Sequence, residues 1–219
     1  MSESERYTET IEQHFPITVL SRRHSDIGTL NEKLFAWIKD MAARYRDSEE
    51  NAAKSAGIST QGGYQTSKQT NLFQVNRPEI RTLRDRYVLP AVHRYLQNVF
   101  GPQARTLDPN VIGWSNLLAS GDWQSPHMHP TEANLASGVY YVRVPPLKPP
   151  EGCIEFINPH LISVHHGFNT TRRIVPEEGL LLLFPPFYLH YVHPFGGEGE
   201  RAIIAFDVLA RHGALEFAL

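Results

Sequence analysis

One cysteine, Cys153, is all that 219 residues offer, so no intramolecular disulfide can staple the chain. That scarcity fits a reducing compartment, and a cytoplasmic location is the expectation. Cys153 sits in the strand-like EGCIEFI and reads as a small core residue rather than a nucleophile. No apolar run approaches the ~18 residues that a bilayer span requires, so no membrane partner is expected. The opening MSESERYTETIEQ is polar and acidic and has no apolar signal-peptide core. Long basic runs are missing too, and the net charge is −2, which gives no electrostatic footprint for nucleic acid. There is no internal repeat and no low-complexity tract. The 41% apolar and 20% charged content is that of a folded globular chain, expected to form a single domain over 1–219.

The pattern of what is present changes near residue 105. Before it, FPITVL (15–20) reads as a short strand. Leu30, Leu34, Trp37, Ile38, Met41 and Ala42 recur at three- and four-residue steps and predict an amphipathic helix over 28–46. Residues 47–70 are polar and Gly-rich and read as a loop, with Gly62-Gly63 at a turn. A second helix is expected over 78–100, started by Pro78 and kinked or split at Pro90. After residue 105 come short β-branched or aromatic runs at 111–119, 135–144, 153–157, 180–184, 189–192 and 201–209. The expectation is therefore a mainly β, α+β fold. A helical support region (1–105) would pack on a sandwich or barrel (106–219). Residues 158–178 are polar without a clear period and read as a lid, a binding loop or a disordered loop.

Histidine is abundant, with 11 in the chain, and three of them share a context. His127 and His129 stand two apart, and in an extended segment positions i and i+2 point to one side. His190 follows 61 positions after His129 (190 − 129) in LLLLFPPFYLHYV, and Arg201 opens a strand 11 positions later. A later strand bringing His190 opposite the first pair would gather three neutral imidazoles, a ligand set for iron, zinc, copper or nickel. Three ligands on one face of a metal leave positions for other molecules. Arg201 would offer a fixed two-pronged donor for a carboxylate.

The segments HMHP, SGVYYV, EGLLLLFPPFYLHYVHP and the later arginine resemble the 2-oxoglutarate/iron(II)-dependent oxygenase superfamily. More narrowly they are similar to a bacterial and phage branch whose substrates are mostly unassigned. The resemblance covers residues 110–209, with GGYQT and the helical half similar more weakly. It implies a jelly-roll (double-stranded β-helix) core, iron(II) as metal and 2-oxoglutarate as cosubstrate. The implied reaction decarboxylates 2-oxoglutarate to succinate and carbon dioxide and oxidises a substrate carbon. Carried over, His127 and His190 are iron ligands and Arg201 anchors the cosubstrate's C5-carboxylate. Asn116 and Tyr140 become further cosubstrate contacts, and Trp114 a cavity wall.

Two positions depart from that superfamily. Where it usually has an aspartate, two past the first histidine, this chain has His129. Glu132, beyond the strand-breaking Pro130, is the rival third ligand, although strand geometry favours His129. Ile203 replaces a serine that relatives often carry. A lone histidine beside an apolar strand is usually structural, His193 should turn outward, and only one of Tyr140 and Tyr141 can face a cavity. His165, His166, Arg172 and Arg173 would grip an anionic substrate or simply face water. The expected partner is a small-molecule or peptidyl substrate, and a homodimer is open. The competing functions are a cupin-like three-histidine dioxygenase that ignores 2-oxoglutarate, and a non-catalytic metal-binding jelly roll.

Overall fold

The run Leu180–Phe184 is buried along its whole length because both of its faces are covered. In the computed structural model, which describes residues 17–67, 70–129, 133–160, 165, 167 and 169–211, this strand lies inside a layered β structure. Leu181 and Leu183 join one core with the helices, whereas Leu180, Leu182 and Phe184 join a second core between the sheets. That alternation is the two-residue period of an extended chain.

Eleven strands are described: β1 (Leu20–Arg23), β2 (Thr60–Gln61), β3 (Tyr64–Gln65), β4 (Pro109–Leu118), β5 (Trp123–His127), β6 (Asn134–Arg143), β7 (Ile154–Ile157), β8 (Thr171–Ile174), β9 (Leu180–Phe184), β10 (His190–Val192) and β11 (Arg201–Ala210). One sheet runs β1-β9-β6-β11-β4-β3 and the other β2-β5-β10-β7-β8. Every described pairing is antiparallel. The architecture is a jelly roll with flanking helices. β1, β2 and β3, which precede residue 105, extend its two sheets. Gly62 and Gly63 both have positive φ, which carries the chain from β2 in one sheet to β3 in the other. A Cβ at Gly62 would collide with the Asp122 carboxylate.

The helices lie over the outer face of the larger sheet. α1 (Gly28–Tyr45) buries Asn31, Leu34, Ile38 and Ala42. α2 (Pro78–Thr82) leads through a π-wound turn (Leu83–Val88) into α3 (Leu89–Phe100). Pro90 has no N–H to give the preceding turn, and the wider π turn just before it absorbs the mismatch. The helical run therefore continues from 78 to 100 without a break.

Central in the larger sheet, Phe206 of β11 has Gly113 and Gly138 as its cross-strand neighbours. A Cβ on either glycine would run into the ring of Phe73 or Phe206. Those two rings meet edge to face at 6.0 Å. Phe206 is thereby fixed toward the helices, and its neighbours Ala205 and Asp207 turn inward between the sheets.

Candidate active site

Strand parity builds the site. Along β11, Ala202, Ile204, Phe206 and Val208 pack with the helices, while Arg201, Ile203, Ala205 and Asp207 line a cavity between the sheets. Along β4, Trp114 pairs with Ala205 and Asn116 with Ile203, so both share the inward parity. The cavity measures about 290 Å³, and His127, His129 and His190 stand on its wall.

The three imidazoles meet. His190 on β10 is the direct cross-strand partner of His127 on β5, and their ring centres are 4.3 Å apart. His129 lies just past the end of β5. There its N–H donates to the Pro186 carbonyl (2.8 Å), and its own carbonyl accepts from Asn134 Nδ2 (3.0 Å). Its ring is 5.1 Å from that of His127 and 5.5 Å from that of His190. One ligand atom from each residue lies within 4.8 Å of the others. Two nitrogens on one ion stand ~4 Å or less apart, given metal–imidazole bonds of about 2.1 Å, so the rings would have to close in slightly on an ion.

Hydrogen bonds set the tautomers. His127 Nδ1 contacts the Ser125 carbonyl at 2.7 Å, and His190 Nδ1 the Tyr188 carbonyl at 2.8 Å. A carbonyl only accepts, so in both rings Nδ1 carries the proton and Nε2 carries the lone pair. His129 Nδ1 stands 3.0 Å from Asp207 Oδ1, which imposes the same tautomer. Burial, with the neighbouring His127 ring, pushes His190 down to about 3, so it is neutral at ordinary pH, as a ligand must be.

Arg201 is the second buried feature. It is 1% exposed, yet its Nε and Nη1 have no hydrogen-bond partner among the described residues. Its guanidinium lies over the ring of Tyr141 at 5.1 Å, and the buried Tyr141 hydroxyl stands beside it. Among the described residues no carboxylate pairs with it, and a buried cation without a counter-ion is costly, so the cavity suits an anion. The donor set therefore suits both a first-row metal and a dicarboxylate.

Several expected contacts fall elsewhere. Tyr140 does not face the cavity. It has the opposite parity on β6, packs with the helices and donates its hydroxyl to Asn31 Oδ1 at 2.7 Å. Tyr141 is the cavity tyrosine. Asn116 is inward but stands behind the wall, its Nδ2 donating to Thr60 Oγ1 (2.8 Å) and Gln65 Oε1 (2.9 Å). The amides that line the cavity are those of Gln65 and Gln124. Trp114 is a wall residue, its ring stacked 5.8 Å from that of His129. His193 points away from the cluster and bonds Glu155. Cys153 is fully buried in the core. Arg173 pairs with Glu155, and Arg172 and His165 are exposed. Glu132 and His166 lie outside the described residues. Asp207, Gln65 and Gln124 went unnoticed in the sequence. Asp207 had a signal, since it stands six positions from Arg201 in one strand and so shares its face (207 − 201).

Residues 113–207 match the family model described as "Putative 2OG-Fe(II) oxygenase". The match spans 95 of the 219 residues (207 − 113 + 1), the part of the chain that carries the cavity. The chain is thus an oxidoreductase whose metal is iron(II) and whose cosubstrate is 2-oxoglutarate, coupling decarboxylation of 2-oxoglutarate to oxidation of a second substrate. No curated protein matches it in sequence. Among solved structures, a prolyl-4-hydroxylase of Pseudomonas putida is similar, with 14% identity, 88% of this chain and 92% of that chain covered, and a TM-score of 0.63. A prolyl hydroxylase of Trichoplax adhaerens, in complex with a hypoxia inducible factor peptide fragment, shows 12% identity, coverage of 87% and 83%, and a TM-score of 0.60. HygX of Streptomyces hygroscopicus, with nickel, 2-oxoglutarate and hygromycin B bound, shows 13% identity, coverage of 88% and 83%, and a TM-score of 0.57. At these identities the likeness is one of fold. None of the described helices is long and apolar enough to cross a membrane.

Proposed function

We propose that this oxygenase is a hydroxylase whose iron(II) is held by His127, His129 and His190, with Arg201 receiving the C5-carboxylate of 2-oxoglutarate. The observation that carries the reading is the buried guanidinium of Arg201, whose Nε and Nη1 have no hydrogen-bond partner among the described residues, in the same cavity as the three imidazoles. The metal, when bound, supplies oxygen activation and Lewis acidity. The chain's own residues orient and enclose. Nδ1–H bonds fix the rings of His127 and His190, Tyr141 adds a hydroxyl beside Arg201, and Val139, Ile154, Phe184 and Val192 keep the cavity apolar. The substrate is a small molecule or a peptidyl group, in line with the hygromycin B and the peptide fragment bound by the two neighbours. Gly57, Ile58, Ser59 and Met128 are the lining residues it would pass. The whole chain works as one domain in this reading, its helical half bracing the larger sheet.

The test is succinate release with iron(II), with and without Arg201→Ala. Losing a charge-assisted carboxylate contact costs about 1.5–3 kcal/mol, so the KM for 2-oxoglutarate should rise roughly 10- to 100-fold. Turnover indifferent both to that substitution and to omission of 2-oxoglutarate would overturn the reading in favour of a three-histidine dioxygenase.

A further inference from the structure

Three neutral imidazoles bring no negative charge to a divalent ion, yet one carboxylate is tied directly to one of them. Asp207 Oδ1 lies 3.0 Å from His129 Nδ1 and accepts the Ser137 hydroxyl at 2.7 Å. Ser137 is the cross-strand partner of Asp207. Asn134 Nδ2 reaches both the Ser137 hydroxyl (3.3 Å) and the His129 carbonyl (3.0 Å). One small network therefore fixes the carboxylate, the ring and the backbone of His129. No other imidazole of the cluster has this arrangement, since the Nδ1 atoms of His127 and His190 face neutral carbonyls.

The contact matters because His129 has the least strand support of the three. It lies beyond the end of β5, whereas His127 and His190 are held by strand pairing. Its ring orientation must come from its side-chain partners. A carboxylate on Nδ1–H also makes Nε2 a stronger donor and leaves a negative charge one hydrogen bond from the metal.

We propose that Asp207 is a positioning residue of the metal centre, acting through His129 to aim its Nε2 and to supply the charge that the three imidazoles lack. The inference rests on the reading that the three histidines hold the ion. It assigns to Asp207 a tenfold to hundredfold share in metal affinity, the usual range for such partners.

The test is titration of metal-free protein with cobalt(II), read by calorimetry and by the visible spectrum of the bound ion, beside thermal unfolding of the metal-free forms. Asp207→Ala should weaken cobalt binding about 10- to 100-fold and alter the spectrum. Asp207→Asn, which keeps size and one acceptor oxygen but no charge, should fall between and is the deciding variant if the alanine protein does not fold. Cobalt affinity and spectrum unchanged in Asp207→Asn would overturn the inference, and so would a lower unfolding temperature with unchanged affinity. His190→Ala separates the two levels. If it binds cobalt as wild type does, or wild type binds none, the three-histidine reading fails and the inference with it. If it loses binding while the Asp207 variants keep it, the inference alone fails.

Discussion

His127 and His190 face each other across an antiparallel strand pair, their ring centres 4.3 Å apart although 63 positions separate them in the chain (190 − 127). Each ring also donates Nδ1–H to the carbonyl two residues earlier in the chain, Ser125 for one and Tyr188 for the other. The two proposed ligands are thus held by the same local device. Removing either ring should have the same effect. His127→Ala and His190→Ala should each lower iron(II) affinity by more than about 100-fold, beyond what loss of an outer partner does. His193→Ala, three residues along but bonded to Glu155, should leave it unchanged. Equilibrium dialysis of the three variants decides this.

Tyr140 and Tyr141 separate stability from cosubstrate binding. Tyr140→Phe removes the donor to Asn31 in the helix-facing core and should cost about 1–2 kcal/mol in urea unfolding, with the KM for 2-oxoglutarate unchanged. Tyr141→Phe removes a hydroxyl beside Arg201, so that KM should rise severalfold while urea unfolding shifts less than in Tyr140→Phe.

Asn116 holds Thr60 and Gln65 together, and through them a wall of the cavity. Asn116→Ala should destabilise the fold by about 1–3 kcal/mol, measured by urea unfolding, because it leaves buried polar partners short of a donor. Its effect on the KM for 2-oxoglutarate should be smaller than that of Arg201→Ala.

Acid should weaken the fold in part through Glu155. Burial pushes this carboxyl up, but the Thr171 hydroxyl, His193 and Arg173 outweigh burial and bring it down to about 2, with Tyr191 and Cys153 also nearby. A depressed carboxyl gives stability that is complete above its ordinary value and is lost as pH falls toward its folded value. The Glu155 contribution should therefore disappear between about pH 4.5 and pH 2. Unfolding midpoints across that window should fall less steeply in Glu155→Gln than in wild type.

How far the sequence could be read follows from burial. β9, β10 and β11 were plain because short apolar runs ended at Gly, Pro or Asp, and the spacing from His190 to Arg201 lay within them. β8 escaped inside the expected loop because Arg172 and Arg173 are exposed and give an edge strand no apolar signal. β2 and β3 escaped because each has two residues and is defined by partners in different sheets. The choice between Tyr140 and Tyr141 could not be made from the pattern, since Asn134–Val142 is buried on both faces and shows no alternation. Asp207 was legible only through the parity it shares with Arg201.

In the proposed site, three imidazoles and Arg201 assemble one place for iron and 2-oxoglutarate. An anaerobic titration with iron(II) and 2-oxoglutarate tests it most directly, through the weak charge-transfer absorption expected near roughly 500 nm when both bind together. The band should appear at one iron per chain, vanish in His190→Ala and need far more 2-oxoglutarate in Arg201→Ala. No band in the wild-type protein, or one that survives His190→Ala undiminished, would contradict that assembly.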